Sequence, residues 1–134
     1  MAIVVGYIPT REGRAALHRA AAEARMREAT LIVVSSNRGG RDFDAVEAQH
    51  FEEALREIRG ELEAAGVRYE ERALVRGSEP ADDLIAVATE VDADLIVIGL
   101  RRRSPVGKLL LGSNAQRILL EALCPVLAVK APSP

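Results

Sequence analysis

Residues 93–131 read ADLIVIGLRRRSPVGKLLLGSNAQRILLEALCPVLAVKA. ADLIVIGL (93–100) is the most apolar run of the chain and is rich in β-branched residues, so it reads as a strand buried on both faces. SNAQRILLEAL (113–123) sets apolar residues at helical spacing behind a Ser-Asn start, and PVLAVKA (125–131) is a further apolar strand. A strand, a helix and a second strand in this order form a right-handed parallel crossover. Whether the whole chain is a doubly wound sheet depends on how far this unit repeats.

It repeats back to the first residues. AIVVGY (2–7) and TLIVVSS (30–36) are short apolar strands. EGRAALHRAAAEARMREA (12–29), between them, carries Ala16, Leu17, Ala20, Ala21 and Ala24 on one helical stripe. A polar, glycine-bearing loop, NRGGRDFD, leads into a helix over 43–66 with Val46, Phe51, Leu55, Ile58 and Leu62 as its apolar stripe and Gly66 as its C-cap. VRYEERALVRG (67–77) alternates less cleanly and reads as an outer strand. The next helix is expected to open on Ser78 as N-cap, with Pro80 two residues on, and to run to about Val91. The pattern βαβαβαβαβ, undivided by linker or repeat, predicts an α/β domain over 1–134: a five-stranded parallel sheet with helices on both faces.

Composition narrows the function classes. Aromatics make up 3% of the 134 residues, so the core must be built from Leu, Val, Ile and Ala. A net charge of −2 gives no general attraction to nucleic acid or membranes. The charge is unevenly placed: from Gly99 onward six basic residues stand against Glu121 alone, whereas Asp42–Glu63 holds eight acids and two arginines. One region attracts anions and another repels them. Three adjacent arginines without interleaved aromatics do not make a nucleic-acid surface, so no nucleic-acid partner is expected. No apolar run approaches the ~18 residues of a membrane span, and no signal peptide precedes the first strand. The single cysteine, Cys124, excludes an internal disulfide and fits a reducing compartment, so a cytoplasmic location is expected. His18 and His50 lie on helices without metal-ligand neighbours and read as surface residues.

The loop after the fourth strand could serve an anion. It is not a P-loop, because Gly107-Lys108 is followed by Leu109 rather than Ser or Thr. The first turn, GYIPTREG, lacks the glycine spacing of the dinucleotide fingerprint. Gly112 lets a ligand approach the backbone, and Ser113 and Asn114 open a helix whose unpaired N–H groups favour an anion. Arg101, Arg102 and Lys108 can add charge-assisted contacts. The opposing reading is that Ser113 merely caps the helix and the arginines are solvated. A loop of about a dozen residues at a strand's C-terminal end is longer than usual and commonly functional.

Together, Gly99, Gly112-Ser113, LLLGS and CPVLAV resemble the C-terminal third of the universal stress proteins, whose motif is G-2x-G-9x-G-[S/T] followed by a helix and a CPVLVV-like strand. The resemblance extends over the chain in length and element order, including EGRAALHRA. It implies sheet order 3-2-1-4-5, an adenine nucleotide alpha hydrolase-like fold, and ATP or another adenine nucleotide, with or without Mg²⁺, between strands 1 and 4. By that resemblance Val34 lies against adenine with Tyr7 and Ile8 beside it, Gly99, Gly112, Ser113 and Asn114 receive ribose and phosphates, and Arg101, Arg102 and Lys108 supply charge. Two positions depart from the family. Its second glycine falls at Arg102 and its acidic residue at the end of strand 1 falls at Ile8, with Gly107 left to restore flexibility to the loop.

Three function classes follow. The leading one is a cytosolic nucleotide-binding regulatory dimer with no catalytic residues and no metal site. The second is a nucleotide hydrolase, disfavoured because neither GYIPT nor GLRRRSPVGKLLLGSN contains Asp, Glu or His to act as base or ligand. The third is a partner-binding module that takes no nucleotide. A homodimer through Val126, Leu127, Ala128 and Val129 is expected, because order 3-2-1-4-5 makes the last strand a bare apolar edge.

Overall fold

In the computed structural model, which describes residues 1–8, 10–37, 45–75, 79–100 and 112–131, nine elements alternate along the chain. They are β1 (Ala2–Gly6), α1 (Arg11–Arg27), β2 (Thr30–Asn37), α2 (Ala45–Ala64), β3 (Tyr69–Val75), α3 (Pro80–Glu90), β4 (Leu95–Leu100), α4 (Ser113–Glu121) and β5 (Val126–Lys130). The strands form one parallel sheet in the order β3-β2-β1-β4-β5. No helix among the described residues is long and apolar enough to cross a membrane.

Strand periodicity divides the core into two layers. Ile3, Val5, Leu31, Val33, Leu95 and Val97 pack with Leu17 of α1 and Leu55, Ile58 and Leu62 of α2. Val4, Ile32, Val34, Ile96 and Ile98 face Leu84 and Val87 of α3 and Ile118 of α4. Consecutive apolar residues in β1, β2 and β4 are therefore required, since each strand is covered on both faces. The stripe expected on α2 holds at Leu55, Ile58 and Leu62, the side chain of Phe51 lies outside the described residues, and Val46 is exposed and belongs to no core layer. Glu23 is buried on α1, where Arg19 at 2.8 Å and Arg27 at 3.3 Å hold its carboxylate from one turn away on either side.

Three helices end alike. Gly66 has φ 72°, Gly66 N–H donates to Glu63 O, and Val67 N–H donates to Leu62 O, a Schellman closure. Glu28 and Asp92, each with φ 52°, do the same for α1 and α3. In every case the next residue (Ala29, Val67 or Ala93) is buried and starts the chain back toward the sheet.

The N-terminus of α1 is seated tightly. Thr10 caps it, its Oγ1 accepting from Gly13 N–H at 3.1 Å. A Cβ on Gly13 would fall inside the carbonyl oxygen of Ile8, so glycine is needed for this close approach. The N-cap of α3 is Glu79 rather than the expected Ser78, which lies outside the described residues; Pro80 takes the first helical position, where its missing N–H costs nothing.

Two glycine-to-alanine changes should therefore have opposite signs. Gly13→Ala should destabilise by roughly 1–3 kcal/mol through overpacking. Gly60→Ala, on the exposed middle of α2 with nothing near the new Cβ, should stabilise by about 0.5–1 kcal/mol. Urea unfolding of both variants against the parent measures the two shifts.

Candidate functional site

Strand order reverses at β1, whose neighbours are β2 on one side and β4 on the other. Crossovers leave such a point in opposite directions and open a crevice at the C-terminal strand ends. A cavity of about 140 Å³ lies there. Gly6, Tyr7 and Ile8 after β1, Val34 of β2, and Ile98 and Gly99 of β4 line it from the sheet. Glu12 and Gly13 come from the first turn of α1, Pro80, Ala81 and Leu84 from α3, and Asn114, Ala115 and Ile118 from α4. Three helix N-termini thus converge on one crevice, each carrying the partial positive charge of its unpaired N–H groups.

Val34, Leu84, Ile98 and Ile118 belong to the layer beneath α3 and α4, so they make the cavity apolar on that side. Tyr7 behaves differently. Its side chain belongs to the opposite layer with Leu17 and Leu55, and its N–H donates to Val34 O at 2.9 Å. Burial pushes the Tyr7 phenol up, and a hydrogen bond with Arg14 opposes that shift. Ile8 is 38% exposed at the mouth, where the family's acidic residue would stand.

Gly99 has a packing role that the sequence did not reveal. A Cβ there would meet the backbone carbonyl of Glu12, so α1 can sit across the end of β4 only because residue 99 is glycine. On α4, Gly112 is the N-cap, Ser113 is exposed, and Asn114 turns into the cavity. Asn114 Oδ1 accepts from Ala81 N–H at 3.3 Å. Arg117, one turn on, pairs with Asp82 and also with Glu121 at 3.1 Å. Arg101, Arg102, Gly107 and Lys108 lie outside the described residues. The structure thus gathers Tyr7, Ile8, Val34, Gly99 and Asn114 around one cavity and adds Ala81 and Leu84, which the sequence did not point to, and Glu12, which stands at the start of α1 and was not among the expected binding residues. The missed signal was topological: in a parallel sheet every helix after a strand starts at the same end, so α3 had to begin beside the site.

Elsewhere, Cys124 is half-buried, and burial followed by the Asp94 carboxylate pushes its thiol up, away from the reactive thiolate. His18 is exposed and sits 3.4 Å from Glu61, and His50 is exposed. No group of three or more His, Cys, Asp or Glu among the described residues is placed to hold a metal.

The model of the universal stress protein family matches residues 1–130, almost the whole chain that builds this sheet and crevice. The chain belongs to the universal stress protein family. A curated universal stress protein from Mycolicibacterium smegmatis is 44% identical over 128 residues, covering 96% of both chains. A solved universal stress protein from Archaeoglobus fulgidus is 40% identical with a TM-score of 0.83, covering 97% of this chain and 98% of that one. The universal stress protein of Archaeoglobus fulgidus in complex with dAMP is 38% identical, TM-score 0.73, with the same coverage. A universal stress protein in complex with cAMP is 27% identical, TM-score 0.76, covering 98% of both chains.

The buried phenol gives a pH signature. Neutral Tyr7 contributes stability that is fully present below the unfolded pKa of about 10 and is lost as pH rises through the higher folded value. The urea midpoint of the parent should therefore fall relative to Tyr7→Phe only above pH ~10, with the gap between them constant below it. Parallel curves across that range would show that the phenol does not titrate differently on folding.

Proposed function

We propose that this universal stress protein is a cytoplasmic regulatory protein that binds an adenine nucleotide between β1 and β4 and acts as a homodimer joined along β5. The whole of 1–134 works as one domain, since all five strands join a single sheet. The observation that carries the nucleotide reading is the crevice itself: an apolar chamber at the point where strand order reverses, ringed by helix N-termini. At about 140 Å³ it is smaller than the ~300–1,000 Å³ of a complete small-molecule site. It suits one part of a ligand, the base, with the charged part lying toward α4. In this reading Val34, Ile8 and the Tyr7 backbone meet adenine, Gly99, Gly112, Ser113 and Asn114 meet ribose and phosphate, and Arg101, Arg102, Gly107 and Lys108 attend the phosphates. The dAMP and cAMP complexes of relatives 38% and 27% identical support this class of ligand.

Calorimetric titration with AMP, and with ATP in the presence and absence of Mg²⁺, tests the reading. Saturable binding at or below millimolar ligand is expected, together with a raised melting temperature. Gly112→Val should weaken it. No heat from the parent would reject nucleotide binding. Bound nucleotide should not turn over at enzyme-like rates: phosphate release at roughly 1 s⁻¹ or faster, near the low end of ordinary turnover, would contradict a regulatory role.

The two sheet edges differ in a way that supports dimerisation through β5. On β3, Glu71 pairs with Arg59, and Arg72 pairs with both Glu70 and Glu90, charges that blunt an edge. On β5, Val126, Leu127, Ala128 and Val129 are all half-buried, and Leu120 (78% exposed) and Leu123 (88%) lie just before the strand. Ile96 pairs with Val126, and Ile96 N–H donates to Pro125 O. In a parallel ladder that geometry turns Leu127 inward to β4 and leaves the N–H groups of Val126 and Ala128 facing out. Ala128→Pro removes an outward donor while sparing the β4 ladder. Light scattering should show a dimeric parent at tens of micromolar and a folded, monomeric variant. A monomeric parent, or a variant that stays dimeric, would reject the interface.

A further inference from the structure

α1 and α2 cover the same face of the sheet, and an open groove of about 480 Å³ runs between them. Leu17, Ala21 and Leu62 form its floor, His18 and Arg25 stand on the α1 side, and Glu61 stands on the α2 side. The charges extend beyond these residues. Arg14, His18 and Arg25 fall on one side of α1 at helical spacing, and Glu53, Glu57 and Glu61 recur every four residues on α2, all six exposed. Arg14 donates to the Tyr7 hydroxyl, which also feels the Glu57 and Glu61 carboxylates, so both rows border the same gap. One wall of the groove is therefore basic and the other acidic. Among the described residues only His18 and Glu61, 3.4 Å apart, pair across the gap, and Arg25 has no ion-pair partner.

Successive crossovers of a parallel sheet run in the same direction, so α1 and α2 are parallel. A second copy can meet this face about a two-fold axis in two ways. An axis across the helices sets α1 on α1 and α2 on α2, like charge on like. An axis along the groove sets α1 of each copy over α2 of the other, basic wall on acidic wall, twice. Such an axis preserves height along the helices. His18 lies level with Glu61 within one copy, so His18 and Arg14 of one copy face Glu61 and Glu57 of the other. We infer that the α1–α2 face is an interface between two copies of this chain, related by an axis along the groove and held by these complementary rows. The rows speed encounter and fix its register. The interface shares no residue with the β5 edge, and it differs from that apolar edge in being weakened by salt.

Sedimentation equilibrium tests the inference on the parent and on Ala128→Pro, which isolates this face from β5. In both, the average mass should rise between ~20 µM and ~1 mM protein at low salt, and about tenfold more protein should be needed at ~0.3 M salt. Two reversed forms, made in both backgrounds, show what holds the face. Glu53→Lys with Glu57→Lys and Glu61→Lys makes both walls basic, and His18→Glu with Arg25→Glu turns the basic wall acidic. All five side chains are exposed, so circular dichroism should match the parent. Each form alone should need about tenfold or more protein to associate, and an equimolar mixture should return to within about threefold of the parent, because every basic wall then meets an acidic one. A mass that responds to neither concentration nor salt would overturn the inference and leave the groove to a different occupant. Either reversed form associating like the parent, or a mixture that stays dissociated, would overturn it as well.

Discussion

The seating of α1 on the ends of β1 and β4 is the constraint on which the rest of the structure depends. Gly13 lies against the Ile8 carbonyl and Gly99 against the Glu12 carbonyl, and neither contact leaves room for a Cβ. With both in place, α1 starts low over the sheet, its first turn becomes one wall of the crevice, and its length covers the layer containing Leu17, Leu127 and Val129. Interiors pack too densely to absorb a shift of one helix without moving its neighbours. The glycines that shape the pocket therefore also decide how the helix packs. Gly99, which the family motif marks for a ligand, is required by the protein itself.

The same crevice is closed on its other side by polar rather than steric means. Asn114 on Ala81 and Arg117 on Asp82 tie α4 to the start of α3. Both are partly exposed contacts, and exposed ion pairs contribute little to stability, typically ~0–1 kcal/mol. Their significance is geometric: they set the separation of the two helices between which a ligand's charged end would lie. One wall is fixed by the absence of side chains and the other by hydrogen bonds, so the two differ in how readily they yield.

Much of this was legible in the chain. Apolar runs alternating with helical stripes specified the parallel sheet, because only strands covered on both faces tolerate runs such as LIVI in β4. Gly66 announced the end of α2, since glycine adopts a left-handed φ without strain. Glu28 and Asp92 end α1 and α3 in the same geometry but carry no such signal, because the closure there is held by tertiary packing of Ala29 and Ala93. Val46 was misplaced because helical spacing alone does not say where a stripe runs past the edge of the sheet. The start of α3 is marked by Pro80 at its first helical position, with Glu79 as N-cap. In the site, Val34, Ile8 and Asn114 could be located from sequence, whereas the Ala81–Asn114 bond could not, since it joins residues 33 apart through a backbone N–H that has no residue-specific signature.

In the proposed complex the crevice between β1 and β4 holds the nucleotide, base inward and phosphate toward α4. Chemical-shift mapping of the amide groups during an AMP titration tests it most directly. The largest shifts are expected at Gly6, Ile8, Val34, Ala81, Gly99 and Asn114, with Ala22 and Arg25 on α1 and Ala65 just after α2, over the other face of the sheet, unmoved. Shifts concentrated on α1 and α2 around those last residues, with the crevice unchanged, would contradict it.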